Sequence, residues 1–333
     1  MEIYIIFIFA LLLSYFLFKN FQIISKKLKL LDNKNLHYAN NSTPTGSGII
    51  FLIIFILSNV FYFHLEIFGE LIPNRYYFLI LSAVILSITS FKDDIKPIDP
   101  ILRLLIQFIC IYISLSCLNL NDLELPFKLT ILLTFCFWVY ITNIVNFIDG
   151  TDGFLVTHTL FFFINILVIS FFDNEEFFSF FIGLMTLPCL IIFFFFNKPN
   201  AKLFMGDTGS IFLGFLIGYC FFEIFLIGYW HIALSLLSYP LLDCTICLIK
   251  KLRKGIMPWI GMYDYYFLKP ALHNKKNHKK ILICFVIFNV INSFVIFLQI
   301  YKDLGYLFLL SFLLSAILIN VYNNFNNFSF FSK

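Results

Sequence analysis

Apolar runs of about the length needed to cross a bilayer recur from one end of this chain to the other, and that recurrence leaves few folds open. They lie near residues 3–18, 47–63, 76–91, 104–120, 129–145, 154–172, 177–196, 211–230, 232–249, 281–300 and 304–322. A spanning helix needs about 20 apolar residues, with a lower limit of about 17. The runs are continuously apolar, which excludes the alternating pattern of a membrane β-barrel. Of the 333 residues 61% are hydrophobic and only 13% charged, and the mean hydropathy is +0.92, which excludes a soluble globular domain and a disordered chain alike. The expected fold class is all-α: a polytopic integral membrane protein of about eleven transmembrane helices, with residues 1–333 forming a single multi-spanning domain. No internal repeat, long linker or separate soluble domain is visible.

Loop charges set the expected orientation. With the N-terminus outside, all but Arg75, Lys128 and Lys302 of the 23 Lys and Arg residues fall on the cytoplasmic side, as the positive-inside rule requires. The net charge of +4 therefore conceals a basic cytoplasmic face suited to anionic lipid or an anionic substrate. The N-terminal run has neither a basic n-region nor a small-residue cleavage site, so it is expected to remain as the first span. The 48 Phe residues follow no fixed period and read as lipid-facing bulk and core filling. The eight Cys residues lie in or at the ends of spans, where Cys behaves as a small hydrophobe. Cys244 and Cys247 form a CxxC without the neighbours that a zinc or redox site needs.

Unusual polar residues gather at the cytoplasmic span ends. Asn143, Asn146, Asp149 and Asp152 recur every third residue, in a run closed by Gly153. If the preceding helix continued through them, two amides and two carboxylates would share one face at the edge of an apolar span. Such oxygens suit a hard cation such as Mg²⁺ and, through it, a phosphate. After the third span come the adjacent Asp93 and Asp94, flanked by Lys92, Lys96 and Arg103. Adjacent carboxylates in a low dielectric do not both stay ionised without a cation or base nearby. Taken alone, a solvated loop beside a membrane segment explains them equally well. After the seventh span, Asn197 to Ser210 runs through Lys202 into Gly206-Asp207-Thr208-Gly209-Ser210. That ending looks like a helix start, with Ser or Asp as cap and unpaired amides able to take a phosphate. Asp32 to His37 and Pro44 to Gly48 read as turn chemistry before the second span.

Asp93-Asp94, NxxNxxDGxDG at 143–153, the 197–210 motif and Pro240-Leu-Leu-Asp243 together resemble the polyprenyl-phosphate N-acetylhexosamine-1-phosphate transferases, glycosyltransferase family 4. The resemblance covers the loops from about residue 32 to 255, in the family's order. It implies Mg²⁺-dependent transfer of a sugar-1-phosphate from a UDP-sugar to a membrane polyprenyl (undecaprenyl) phosphate, releasing UMP, at an active site on the cytoplasmic face of the inner membrane. It further implies Asp207 and Asn146 as metal ligands and Asp93, Asp94 and Asp149 as catalytic carboxylates. Asn143, Asp152, Asn197, Lys202, Lys96 and Arg103 would contact substrate, and Asp243 would steady the basic loop or the kink at Pro240. A homodimer is compatible with this, and no nucleic-acid partner is expected.

The family's histidine signature between spans nine and ten is absent. Tyr263 to Lys269 stands in its place, with His273 and His278 only downstream. On that ground, and because Arg103 follows Asp94 by nine residues, the expected branch is the one that starts O-antigen or other surface polysaccharide, with a UDP-N-acetylhexosamine or its 6-deoxy derivative as donor. The alternative is the UDP-MurNAc-pentapeptide phosphotransferase of peptidoglycan synthesis. A transporter, or a non-catalytic relative that binds lipid, is a further reading. A transporter would place its acids near the bilayer midplane, not at one surface.

Overall fold

The computed structural model describes residues 2–27, 30–31, 43–64, 75–120, 126–173, 178–257, 264–273 and 277–325. Thirteen α-helices account for most of them: α1 (Glu2–Lys27), α2 (Ile49–His64), α3 (Tyr76–Ile95), α4 (Pro100–Ser114), α5 (Phe127–Phe147), α6 (Phe154–Asp173), α7 (Phe178–Asn197), α8 (Gly206–Ile224), α9 (Trp230–Leu236), α10 (Ser238–Arg253), α11 (Lys269–His273), α12 (Asn277–Lys302) and α13 (Phe308–Asn323). Among the described residues there is no strand, only an isolated bridge between Leu31 and Pro44. A membrane leaves no water to satisfy backbone amides, so a chain this apolar pairs them within helices.

α8 is the axis of the bundle. Its sequence is apolar on every side, and from Thr208 to Ile224 only Glu223 is not fully buried. Gly214 and Gly218 sit one turn apart where α5 crosses. A side chain at Gly214 would strike the Thr142 backbone, and one at Gly218 the Trp138 indole. Small residues at i and i+4 let two helices approach closely where lipid supplies no hydrophobic drive. The Trp138 indole N–H, thus admitted, donates to the Phe215 carbonyl at 2.9 Å. α3 packs on both α8 and α4 and buries Ser82, Ala83, Ser87 and Ser90, again mostly small; the Ser82 hydroxyl donates to the Cys110 carbonyl of α4 at 3.0 Å.

Among the described residues, eight helical stretches are long and apolar enough to cross a membrane, fewer than the eleven expected. The eleven apolar runs all fall on helices, but α2 offers only a short apolar segment (Ile49–Phe61). α3 carries Lys92, Asp93 and Asp94 in its last turn, and α10 ends in Lys250, Lys251 and Arg253. The division expected between residues 230 and 232 is also displaced. α8 continues through a π turn into α9, with a kink at Gly228 (φ 103°), and the chain breaks at Leu237 before α10. Pro240 follows in the first turn of α10, where its missing N–H costs nothing.

Glu223 accepts from the backbone amides of Phe178 (3.2 Å) and Ser179 (2.5 Å), from the Ser179 hydroxyl and from Tyr219 Oη (3.0 Å). It caps the first turn of α7 from across the bundle. Phenylalanines divide as expected: Phe18, Phe51 and Phe193 interlock in the interior, while Phe171 is 78% exposed on the outside. All eight cysteines are free.

Candidate functional site

One end of the bundle gathers the C-terminal turns of α3, α5 and α7 and the N-terminal turns of α4, α6, α8 and α12. α8 begins at Gly206, whose φ of +72° suits glycine and whose missing side chain leaves room for the Asp94 carboxylate. No side chain of its own caps this helix. Asp94, from the end of α3, takes that role: it accepts from the Asp207 amide (3.0 Å), the Thr208 amide (3.1 Å) and the Thr208 hydroxyl (2.6 Å). The expectation that this helix start offers open amides and caps itself with Ser or Asp is therefore corrected; a carboxylate from another helix is already there, favoured by the partial positive charge of the helix end. Burial pushes the Asp94 carboxyl up to about 6, against the lowering effect of the Thr208 bonds, and the Asp207 charge adds to the rise.

Arg103 joins the other two acids. Its Nη1 lies 2.5 Å from Asp93 Oδ2 and 2.8 Å from Asp207 Oδ2. The guanidinium is delivered by the first turn of α4, which Asp99 caps by accepting from the amides of Ile101 and Leu102. Asp93 is fixed further by the Ile98 amide at 2.7 Å. Two of the three carboxylates thus share one guanidinium while Asp94 caps α8, which leaves an excess of negative charge at the site.

The four residues spaced three apart do not share a face. α5 ends at Phe147 and the chain turns through 148–153, with Gly153 at φ +75°. Asn146 still faces the site, its Oδ1 2.6 Å from the Ser210 hydroxyl in the first turn of α8. Asn143 instead donates to Gln107 Oε1 (2.9 Å) and so joins α5 to α4. Asp149 is half-buried on the turn. Asp152 accepts from the amides of Asn200 (3.1 Å) and Ala201 (3.2 Å), and its Oδ1 lies 3.6 Å from His278 Nδ1. Burial raises the Asp152 carboxyl, opposed by His278. Asn197 is buried, accepting from the Gly153 amide (3.0 Å) and donating to the Leu203 carbonyl (3.0 Å). Asp152 and Asn197 therefore hold loops together, while Asn143 ties two helices. Lys96 and Lys202 are exposed, and neither forms an ion pair among the described residues.

Asp243 secures the segment that replaces the histidine signature. Fully buried on α10, it accepts from Tyr239 Oη (2.9 Å) and the amides of Tyr266 (3.1 Å) and Phe267 (3.4 Å). The Tyr265 ring stacks on Phe147 at 5.9 Å, directly beside Asn146, and on Phe267 at 6.0 Å. Asp243 thus steadies this segment rather than the proline kink. Sequence reasoning missed Gln107, Thr208, Ser210 and His278 as partners of the site. Only Thr208 and Ser210 lay within a recognised motif; Gln107 and His278 carry no local signal. Tyr263 and the Asp32–His37 stretch lie outside the described residues.

The donor set fits magnesium. Its oxygens are hard, and two carboxylate oxygens already converge on a single nitrogen. Among the described residues no three His, Cys, Asp or Glu side chains could hold a metal by themselves. Mg²⁺ takes one or two carboxylates and completes its shell with water and substrate phosphate.

The model of the family "Glycosyl transferase family 4" matches residues 76–225, which hold every helix end of the acidic cluster. The chain is 31% identical over 228 residues to the phospho-N-acetylmuramoyl-pentapeptide-transferase of Dictyoglomus turgidum, covering 62% of this chain and 68% of that relative. It is 29% identical over 295 residues to the protein of the same name from Petrotoga mobilis, covering 79% and 86%. To that from Streptococcus sanguinis it is 27% identical over 196 residues, covering 54% and 59%. These names correct the expected O-antigen or surface-polysaccharide branch and its N-acetylhexosamine donor. The physical ground for that branch also falls away: Arg103 is engaged by Asp93 and Asp207 and so says nothing of the sugar.

Proposed function

Because the chain belongs to glycosyl transferase family 4, we propose that it transfers phospho-N-acetylmuramoyl-pentapeptide from its uridine diphosphate carrier to a membrane polyprenyl phosphate. An oxygen of the polyprenyl phosphate attacks the β-phosphorus, the bond from that phosphorus to the bridging oxygen breaks, and UMP leaves with that oxygen. The observation that carries this reading is the meeting of Asp93, Asp94 and Asp207, from α3 and α8, around Arg103 at one end of an apolar bundle. Phosphoryl transfer between two anions needs placement and charge compensation more than covalent chemistry. The basic loops at this end support a cytoplasmic position at the inner membrane for it, with the N-terminus outside.

Asp207, with Asn146 beside it, would hold Mg²⁺, which when bound neutralises the phosphate oxygens. Arg103 is placed to swing from its carboxylates to a diphosphate, since a guanidinium pairs with either. Asp94 orients the acceptor phosphate and receives its proton, with Asp93 beside it and Asp149 at the turn. Asp152 and Asn197 keep their loops in register and Asn143 keeps α5 against α4, while Lys96 and Lys202 draw the anionic reactants toward the opening.

The test uses membranes containing the full chain, labelled UDP-N-acetylmuramoyl-pentapeptide, polyprenyl phosphate and Mg²⁺. Label is expected in the organic phase with equimolar UMP, and none with EDTA. UDP-N-acetylglucosamine serves as comparison donor. Membranes that hold the folded protein yet release no UMP from the muramoyl donor would refute the proposal.

A further inference from the structure

The basic segment after α10 holds a charge imbalance that the transfer reaction does not use. From Lys250 to Lys280 the sequence has nine Lys or Arg residues and a single acid, Asp264. Asp264 lies 3.6 Å from Lys254. Two other lysines converge on one tyrosine instead. The Lys250 ammonium donates to the Tyr266 hydroxyl and lies 4.4 Å from the ring centroid, and that of Lys269 lies 4.1 Å from the same centroid. Lys269 also donates to Asn323 Oδ1 at 2.6 Å, at the end of α13. Cation–π contact favours each ammonium singly. Two like charges held on one ring nevertheless repel, since they lie inside the Debye length of about 8 Å at physiological salt. Neither lysine forms an ion pair with a carboxylate among the described residues.

The surroundings indicate what completes the cluster. Ile249 and Leu252 on α10 and Leu272 on α11 are 44%, 54% and 44% exposed, so apolar side chains within three residues of the lysines in sequence reach the outer surface of the bundle. Exposed apolar groups interleaved with ammoniums at a helix end are the composition of a membrane interface. The acidic pocket is assembled from α3, α4, α5 and α8, whereas this cluster sits on α10, α11 and the end of α13.

We propose that Lys250, Tyr266 and Lys269 form a binding site for the headgroup phosphate of an anionic bilayer phospholipid, whose acyl chains lie along Ile249, Leu252 and Leu272. The phosphate sits between the two ammoniums and relieves their repulsion. The leaflet follows from the orientation proposed above; the chemistry of the site does not depend on it.

The full chain is reconstituted into mixed bilayers of phosphatidylcholine and phosphatidylglycerol and extracted in mild detergent, and the lipid that stays bound is measured by mass spectrometry. Phosphatidylglycerol is expected to be enriched over the bulk ratio, and the enrichment should fall about tenfold in Lys250→Ala/Lys269→Ala. Lys254→Ala, which removes a lysine already beside a carboxylate, should leave it unchanged, and Lys250→Arg/Lys269→Arg should preserve it. If the double alanine variant does not purify as folded protein, Lys250→Gln/Lys269→Gln is read in its place, with the same loss expected. Equal enrichment in wild type and the charge-removed variant overturns the proposal. Displacement of the bound phosphatidylglycerol by stoichiometric polyprenyl phosphate overturns it too, because the cluster would then be part of the acceptor site. So does displacement by millimolar glycerol phosphate, because no lipid would be required. Turnover is measured in the same preparations: its absence in the wild type would count against the transfer reaction and leave the lipid result standing.

Discussion

Replacing Asp94 by Asn should separate what this carboxylate does for the fold from what it does for chemistry. Asn has the shape of a protonated Asp and keeps one oxygen for the head of α8, so it mimics the neutral form of the residue. In the metal-free protein the carboxyl sits at about 6 against an ordinary 3.8. That difference disfavours the ionised form by about 3 kcal/mol, and solvent screening of a half-buried group trims it to roughly 1–3 kcal/mol. The sign follows from linkage: between pH 3.8 and 6 the folded state binds more protons than the unfolded one, so the wild type loses this stability as pH rises through that interval. The variant cannot lose it. Thermal unfolding in detergent with EDTA, at one scan rate and from about pH 4.5 to 8, should show the variant gaining roughly 1–3 kcal/mol on the wild type toward the alkaline end. Turnover should be absent in the variant at every pH. Parallel stability curves across the range would refute the reasoning, because the burial cost assigned to Asp94 would then not exist.

Asp207→Ala should abolish formation of labelled lipid while the protein still inserts in membranes and purifies as a folded species, since Arg103 retains Asp93; an active variant would sink the metal assignment. Gly218→Ala should cost about 1–3 kcal/mol, read as a lower unfolding midpoint, because the new methyl meets the Trp138 indole where α5 crosses α8. Asp243→Ala should leave two amides and the Tyr239 hydroxyl without their acceptor, at about 1–3 kcal/mol for each buried group. Limited proteolysis should then cut near 264–268 in the variant and not in the wild type.

The architecture was legible because membrane burial acts on every residue of a span: each apolar run fell on a helix, although boundaries shifted by a few residues, α2, α3 and α10 proved too short or too charged at their ends, and the chain kinked at Gly228 and broke at Leu237. The acidic cluster was legible in part. Asp93, Asp94 and Asp207 were found because carboxylates beside apolar spans are costly and therefore conspicuous. What each one touches was not legible. The triplet spacing of Asn143, Asn146, Asp149 and Asp152 suggested one continuous face, but the chain turns after Phe147 and sends Asn143 to Gln107 and Asp152 to His278. Those partners lie 36 and 126 residues away in sequence, where no local pattern points. The donor branch was misjudged for a related reason: the absent histidine signature and the spacing from Asp94 to Arg103 were taken as substrate signals, whereas Arg103 is engaged by Asp93 and Asp207.

Arg103 gives the acidic cluster a resident counterion, and that has a practical consequence for anyone handling the protein. Stripping divalent ions should silence turnover without loosening the bundle, because the guanidinium is already in place to quiet two of the three acids. Chelator-treated material would then be a sound starting point for metal titrations, with activity restored on adding magnesium back and no refolding needed.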